Sequence, residues 1–275
     1  AWSEDGVRFE RHPEPVFFPE SEGIEWEGGI EDPRVVRNPE GGFVMTYTAY
    51  DGELARLCVA TSDDLWTWRR HGPAFPGTPY EGYWSKSGSI VSEVRDGTLT
   101  AARIRGRYWM YWGESDVFLA TSEDLLEWKV VEQEDRAGRR KATLGTETGL
   151  GPRSVFSVRP GRFDSLLVEP GPPAVLTSQG IAFLYNSANC GKTGDPARPH
   201  ASYSTARMVL DSRDPASVIA RATDPFLWAV EPYEVTGQIG NVTFSEGLVP
   251  WEGGWLLYYG TADSKIAVAR LASLD

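Results

Sequence analysis

The chain has 275 residues, of which 29 are Gly, 19 are Pro and 12% are aromatic. So many turn formers among aromatics disfavour a helical bundle or coiled coil, while 41% hydrophobic and 24% charged residues supply a core and exclude wholesale disorder. A net charge of −12 repels nucleic-acid backbones and anionic lipid surfaces, and no apolar run reaches the roughly 20 residues of a membrane-spanning helix, so neither partner is expected.

The N-terminus carries no basic region or apolar stretch of a signal peptide, which favours a cytoplasmic location; Ala1 in place of an initiator Met leaves upstream residues out of view. Ser3 to Phe9 has the composition of a turn that follows a strand elsewhere in the chain. A first strand opens at Ile30-Glu31-Asp32-Pro33-Arg34-Val35, and the aromatic segment Gly42 to Tyr47 and the stretch Ala60-Thr61-Ser62-Asp63-Asp64-Leu65-Trp66-Thr67-Trp68 follow it. Sixty residues later the pattern returns as Gly106 to Tyr111 and Ala120-Thr121-Ser122-Glu123-Asp124-Leu125-Leu126-Glu127-Trp128. Weaker copies are Gly180 to Tyr185 with Ala206 to Asp211, and Gly254 to Tyr259 with Lys265 to Leu271. Four antiparallel units are thus visible, at irregular intervals of about 50 to 75 residues, which fits the blades of a β-propeller better than a solenoid. The two ends are expected to complete one blade between them, within a single domain spanning residues 1–275 and containing few helices. Glu132 to Arg140 and Gly191 to His200 read as surface loops.

The strand openings align at Ile30 to Val35, Ser85-Lys86-Ser87-Gly88, Val168-Glu169-Pro170-Gly171-Pro172-Pro173 and Phe244-Ser245-Glu246-Gly247. Three of the four carry a carboxylate beside Pro or Gly, and a ring of strand starts would converge them on one cavity. A second ring lies where the following strands end, at Tyr50-Asp51, Glu114, Asn186 and Asp263, with Trp84 among nearby aromatics. Carboxylates, amides and aromatic faces in a wet cavity suit a sugar, whose hydroxyls take polar partners and whose C–H faces stack on rings. The three histidines are scattered, Cys58 and Cys190 are far apart, and there is no phosphate loop or dinucleotide fingerprint. No metal or cofactor is expected, the cysteines should be free thiols, and carboxylate chemistry remains.

Ile30 to Val35 with Met45-Thr46-Tyr47-Thr48-Ala49-Tyr50, then Ser85 to Gly88, Gly171-Pro172-Pro173, and Gly247-Leu248-Val249 with Tyr258 to Asp263, resemble glycoside hydrolase family 130, the β-mannoside phosphorylases and β-mannosidases. The resemblance implies a five-bladed propeller with four-stranded blades, the extra blade falling between Ala142 and Leu167. It also implies an inverting mechanism in which Asp32 is the general acid, its proton passing through a sugar hydroxyl. Phosphorylases of this family hold inorganic phosphate with Arg, Lys and His side chains. Here the corresponding segments offer Met110-Tyr111-Trp112-Gly113-Glu114-Ser115, Leu176 and Asn186, so hydrolysis is favoured. On this reading Glu169, with Glu114 or Glu147 as partner, activates water; Arg34 and Lys86 orient substrate hydroxyls; Glu246 and Asp263 grip the non-reducing sugar; and Tyr50, Asp51, Asn186 and Trp84 line the cavity. The partner is an oligosaccharide, and homo-oligomerisation is left open. The alternatives are a phosphorylase, if Arg153, Arg159 and Arg207 converge, a non-catalytic sugar-binding propeller, and an arabinofuranosidase-type glycosidase.

Overall fold

Runs rich in β-branched and aromatic residues, bounded by Gly, Asn and Asp, become strands, because such side chains pack well on a pleated surface. The computed structural model describes residues 1–134 and 150–274, and the helical elements among these described residues are a single turn at Gly23–Glu25 and the four-residue α1 (Pro232–Val235). The first unit is a four-stranded antiparallel meander of β1 (Gly29–Arg37), β2 (Phe43–Tyr50), β3 (Ala55–Ser62) and β4 (Arg69–Pro73). The second runs through β5 (Gly88–Arg95), β6 (Thr98–Ala101), β7 (Arg103–Ile104), β8 (Arg107–Trp112) and β9 (Asp116–Ser122). Its outer edge adds β10 (Lys129–Val130), a ribbon of β11 (Glu132–Glu134) with β12 (Leu150–Pro152), and β13 (Ser154–Ser157), which pairs with β9 as β10 does. In the third unit β14 (Leu167–Pro170) and β15 (Ala174–Thr177) both pair with β16 (Gly180–Ala188), followed by β17 (Tyr203–Leu210), β18 (Val218–Arg221) and β19 (Leu227–Trp228). The fourth holds β20 (Thr243–Trp251), β21 (Gly254–Thr261) and β22 (Lys265–Leu271).

The apolar core lies between successive units. Val36, Val44, Leu57, Met110, Trp112 and Phe118 join the first to the second. Val91, Tyr111, Leu119, Phe183, Tyr185 and Met208 join the second to the third, and Val175, Leu184, Leu248 and Leu257 join the third to the fourth. Strands near the unit openings run side by side, β6 parallel to β1 and β15 parallel to β5. Face-to-face stacking of antiparallel units is the propeller arrangement that the repeats predict. The described residues supply four units; of the stretch Ala142 to Leu167, where the resemblance places a fifth, residues 142–149 lie outside the described residues and residues 150–166 give β12 and β13, which pair with β11 and β9. The three strands of the fourth unit form a sheet of their own, with no ladder to the other units among the described residues. The chain ends do meet there, through side chains. Tyr258 Oη donates to the Gly6 carbonyl at 2.7 Å and its ring meets Phe9 edge-on, while the N-terminal segment bridges only to itself at Trp2 and Glu10.

The repeated Ala-Thr-Ser motif is a turn device. Ser62 Oγ accepts from the Leu65 amide, Asp64 Oδ1 accepts from Trp66 and Thr67, and Trp68 Nε1 donates to the Leu65 carbonyl. Ser122, Asp124, Leu125 and Trp128 repeat every one of these bonds. Leu65 and Leu125 sit at φ 65° and 69°, a left-handed conformation for which the Asp and Ser bonds compensate. Ser3 and Asp5 make the same pattern, with Gly6 at φ 71° in the leucine's place, as the sequence resemblance of that stretch predicts. Asp124→Ala removes the carboxyl oxygen that accepts from Ser122 Oγ and from the Leu126 and Glu127 amides, and should lower stability by about 1 kcal/mol, read as a shifted urea midpoint with an unchanged slope; no shift would mean the turn holds without these bonds.

Candidate active site

The inner strands lose regularity where the carboxylates sit. In β1 the register slips between Glu31 and Arg34, and Asp32 takes φ 56°, a conformation that Asp tolerates better than most residues. In the third unit Gly171-Pro172-Pro173 divides β14 from β15, with Glu169 one residue before the end of β14, opposite Asn186. In β20 the register slips between Ser245 and Gly247, leaving Glu246 unpaired. Pro has no ladder donor and Gly accepts unusual dihedrals, so the Pro or Gly beside each carboxylate is what breaks the ladder and re-aims the acid. The second unit supplies Lys86 and Ser87 just before β5.

Arg34 ties three units together. Its buried guanidinium donates to the carbonyls of Asp32 at 2.6 Å, Gly171 at 3.0 Å and Pro170 at 3.2 Å, lies 3.6 Å from Glu246 Oε1, and faces the Phe244 ring at 5.7 Å. Lys86 Nζ pairs with Glu31 Oε2 at 2.8 Å. Ser87 Oγ donates to Glu169 Oε2 at 3.0 Å, and Trp84 Nε1 donates to Glu114 Oε2 at 2.7 Å. Thr48 Oγ1 donates to the Lys86 carbonyl and lies 3.5 Å from Asp32 Oδ2.

Six carboxyl groups, those of Glu31, Asp32, Glu114, Glu169, Glu246 and Asp263, share this region with two cations, and burial with the surrounding charges shifts the titration of Glu169, Glu246, Asp263 and Lys86. Burial pushes Glu169 up to about 8, helped by Asp32 and Glu114 and opposed by Arg34 and the Ser87 hydroxyl. Burial likewise pushes Glu246 up to about 8 against the attraction of Arg34, with Asp32 and Glu31 adding to the rise. Asp263, at the rim, is raised by desolvation and then by Asp32 and Glu31. For Lys86 burial opposes the charge, but Glu31, Asp32 and Glu169 outweigh it and keep the ammonium above its ordinary range. Glu169, Glu246 and Asp263 thus hold their protons to higher pH than isolated carboxyls would.

The structure thus gathers Asp32, Glu114, Glu169, Glu246, Asp263 and Lys86, with Trp84 against Glu114. Other expected ligands have different tasks. Arg34 is 2% exposed and its donors point at backbone, so it positions Asp32 and does not reach for substrate hydroxyls. Asn186 bonds Ser245 through both amide atoms, at 3.0 and 2.8 Å, and stitches β16 to β20. Asp51 is spent on its own turn: the Leu54 amide, Arg56 and the Glu53 amide hold its carboxyl well below the usual range. Tyr50 donates to the Gly52 carbonyl at 2.8 Å, though its ring meets Trp84 edge-on and so helps form the rim. Glu147 lies outside the described residues. Sequence reasoning missed Ser87 as the partner of Glu169, and it missed Tyr203. Tyr203, whose ring lies 6.0 Å from that of Phe244 beside Arg34, is pushed up to about 12 by burial and by the fields of Glu169 and Glu114. Its position at the start of β17, after a long loop, carried no signal.

Among the described residues no group of three or more His, Cys, Asp or Glu side chains is arranged to hold a metal ion. The sequence profile of glycoside hydrolase family 130, described as beta-1,4-mannooligosaccharide phosphorylase, matches residues 1–274. The chain belongs to glycoside hydrolase family 130. A family member from Thermoanaerobacter sp. (strain X514), named 1,2-beta-oligomannan phosphorylase, is 29% identical over 279 residues, covering 100% of this chain and 78% of its own. Solved structures of the family are nearer in sequence. One, a glycosyl hydrolase from Bacteroides ovatus, is 39% identical with a TM-score of 0.88, covering 98% of this chain and 72% of its own. Another is 40% identical with a TM-score of 0.89, covering 98% and 73%; it is described by the statement that this family of mannoside phosphorylases contains glycoside hydrolases that target β-1,2 mannosidic linkages in Candida mannan.

Proposed function

We propose that the protein is an inverting hydrolase of β-mannosides, with β-1,2-linked manno-oligosaccharides as its first candidate substrates. The observation that carries this reading is the charge of the site. Six carboxyl groups face two cations, and both cations are already committed, Lys86 to Glu31 and Arg34 to three backbone carbonyls and Glu246. A phosphate dianion needs free charge-assisted donors, and neither cation here is free to supply them. A neutral sugar and a water molecule have no such need. In this mechanism Asp32 gives its proton, through a sugar hydroxyl, to the leaving oxygen. Glu169 takes a proton from water as its oxygen attacks the anomeric carbon from the opposite face, with Glu114 beside it. Ser87 fixes the Glu169 carboxyl, Arg34 fixes the Asp32 backbone, and Glu246 and Asp263 bind hydroxyls of the non-reducing sugar. The names of the solved structures at 39 to 40% identity support hydrolysis.

Phosphorolysis is the second reading, favoured by the name of the Thermoanaerobacter relative and the description of the family profile. The arginines that could serve it are occupied elsewhere. Arg159 pairs with Asp164 at 2.8 Å, Arg207 donates to the Leu274 carbonyl at 3.2 Å, and Arg153 lies 3.8 Å from Asp214. Met110, Tyr111 and Trp112 are buried in the core and offer phosphate nothing. Incubation with β-1,2- and β-1,4-mannobiose should release free mannose in phosphate-free buffer, at a rate that added phosphate does not raise. Mannose 1-phosphate formed only with phosphate would establish the phosphorylase.

A further inference from the structure

The Gly191 to His200 segment forms one wall of a cavity. Asn189 is fully buried and holds the segment in shape, its Nδ2 donating to the carbonyls of Asp195 at 3.0 Å, Arg198 at 2.9 Å and Pro199 at 3.2 Å, while its Oδ1 accepts from the Asp195 amide at 2.8 Å. Gly194 lies so close that a Cβ there would stand 2.2 Å from Asn189 Oδ1, so the loop is shaped by tight packing and is no slack connection. The result is a cavity of about 340 Å³ whose lining includes Asp195, Arg198, Ser202, Tyr203, Trp228 and Asn241, within the roughly 300–1,000 Å³ of small-molecule sites. The Arg198 guanidinium pairs with Asp195 at 3.3 Å and lies over the Trp228 ring at 5.1 Å, leaving Trp228 43% exposed. Tyr203 joins this cavity to the carboxylate site: it lines the cavity, and its ring lies 6.0 Å from that of Phe244, which Arg34 of the carboxylate site faces at 5.7 Å.

We propose that this cavity is a distal sugar subsite, in which Trp228 stacks on a pyranose ring and the Asp195–Arg198 pair bonds its hydroxyls, so that an oligosaccharide runs from the carboxylate cluster across Tyr203 onto Trp228. The proposal rests on the mannoside reading above and adds a preference for chains longer than a disaccharide. An exposed indole beside a carboxylate and a guanidinium matches a sugar's alternation of C–H face and hydroxyl rim. A phosphate group would meet Asp195, and an apolar ligand would strand the ion pair.

The test compares kcat/KM on β-1,2-mannobiose and β-1,2-mannotetraose. The wild type should favour the tetrasaccharide by about tenfold, Trp228→Ala should cut that preference by about fivefold to tenfold, and Trp228→Phe, which keeps a stacking face, should retain most of it. A wild type without the preference, or Trp228→Ala acting equally on both sugars, overturns the subsite. Calorimetric titration of mannotetraose into Asp32→Asn and into Asp32→Asn with Trp228→Ala reads the same contact without turnover. Equal affinity of those two proteins overturns the subsite; binding that depends on Trp228, in a protein whose wild type cleaves neither sugar, overturns the hydrolase reading alone.

Discussion

Asp32→Asn should lower kcat on β-1,2-mannobiose by about a thousandfold while KM changes by no more than about threefold, because a positioned general acid contributes roughly 10²–10⁴ to rate and acts on the transition state. The substitution suits the site. Asp32 sits at φ 56° in a bulge before Pro33, and Asn adopts that conformation as readily as Asp, so the Arg34 anchor on the residue's carbonyl persists. What is lost is the ability to give up a proton. An aryl mannoside with a nitro-substituted leaving group needs none, so the variant should recover most of its activity on that substrate. Equal loss on both substrates would mean that Asp32 orients the sugar and that another carboxyl is the acid. A wild type that binds mannobiose and never turns it over would instead make the protein a sugar-binding module.

How far the sequence foretells this site follows from which contacts are local. The Ser-x-Asp turn is bonded within a few residues, so its repetition at Ser3, Ser62 and Ser122 is readable, and the strands between the turns follow from their aromatic alternation. The carboxylates at the strand openings are readable because Pro and Gly announce the broken ladder around Asp32, Glu169 and Glu246. What the sequence could not give is where a long side chain spends its donors. Arg34 reaches carbonyls 136 and 137 residues away, and Asn186 closes on Ser245 59 residues away. Each looks like a ligand in a strand pattern and proves to be a strut between units. Tyr203 shows the converse, since only the packing of the third unit on the fourth brings its ring to within 6.0 Å of Phe244. The blade count rests on resemblance; the described residues themselves stack four units.

The proton that Glu169 retains makes this residue costly to the fold. In the unfolded chain its carboxyl ionises near the ordinary 4.5, whereas burial with Asp32 and Glu114 holds the folded value at about 8. Between those values the folded state binds more protons than the unfolded one, so stability falls as pH rises through the interval. Glu246 acts in the same direction for the same reasons. Glu169→Gln keeps the side chain's size and an oxygen for the Ser87 hydroxyl but never ionises. Its melting temperature should match the wild type within about 1 °C near pH 5 and exceed it by about 4–8 °C near pH 8.5, with a residual slope from Glu246. The same variant should lose at least about a hundredfold in kcat, since an amide cannot take a proton from water. In the wild type turnover needs Glu169 ionised and Asp32 protonated together, so kcat/KM should fall on both sides of a maximum. Equal melting temperatures at pH 8.5 would mean that the cluster's protons reside on other carboxyls, and an active Glu169→Gln would transfer the base role to Glu114. Gain of stability with loss of turnover, in one substitution, would identify Glu169 as a group retained against the interests of the fold for the sake of the reaction.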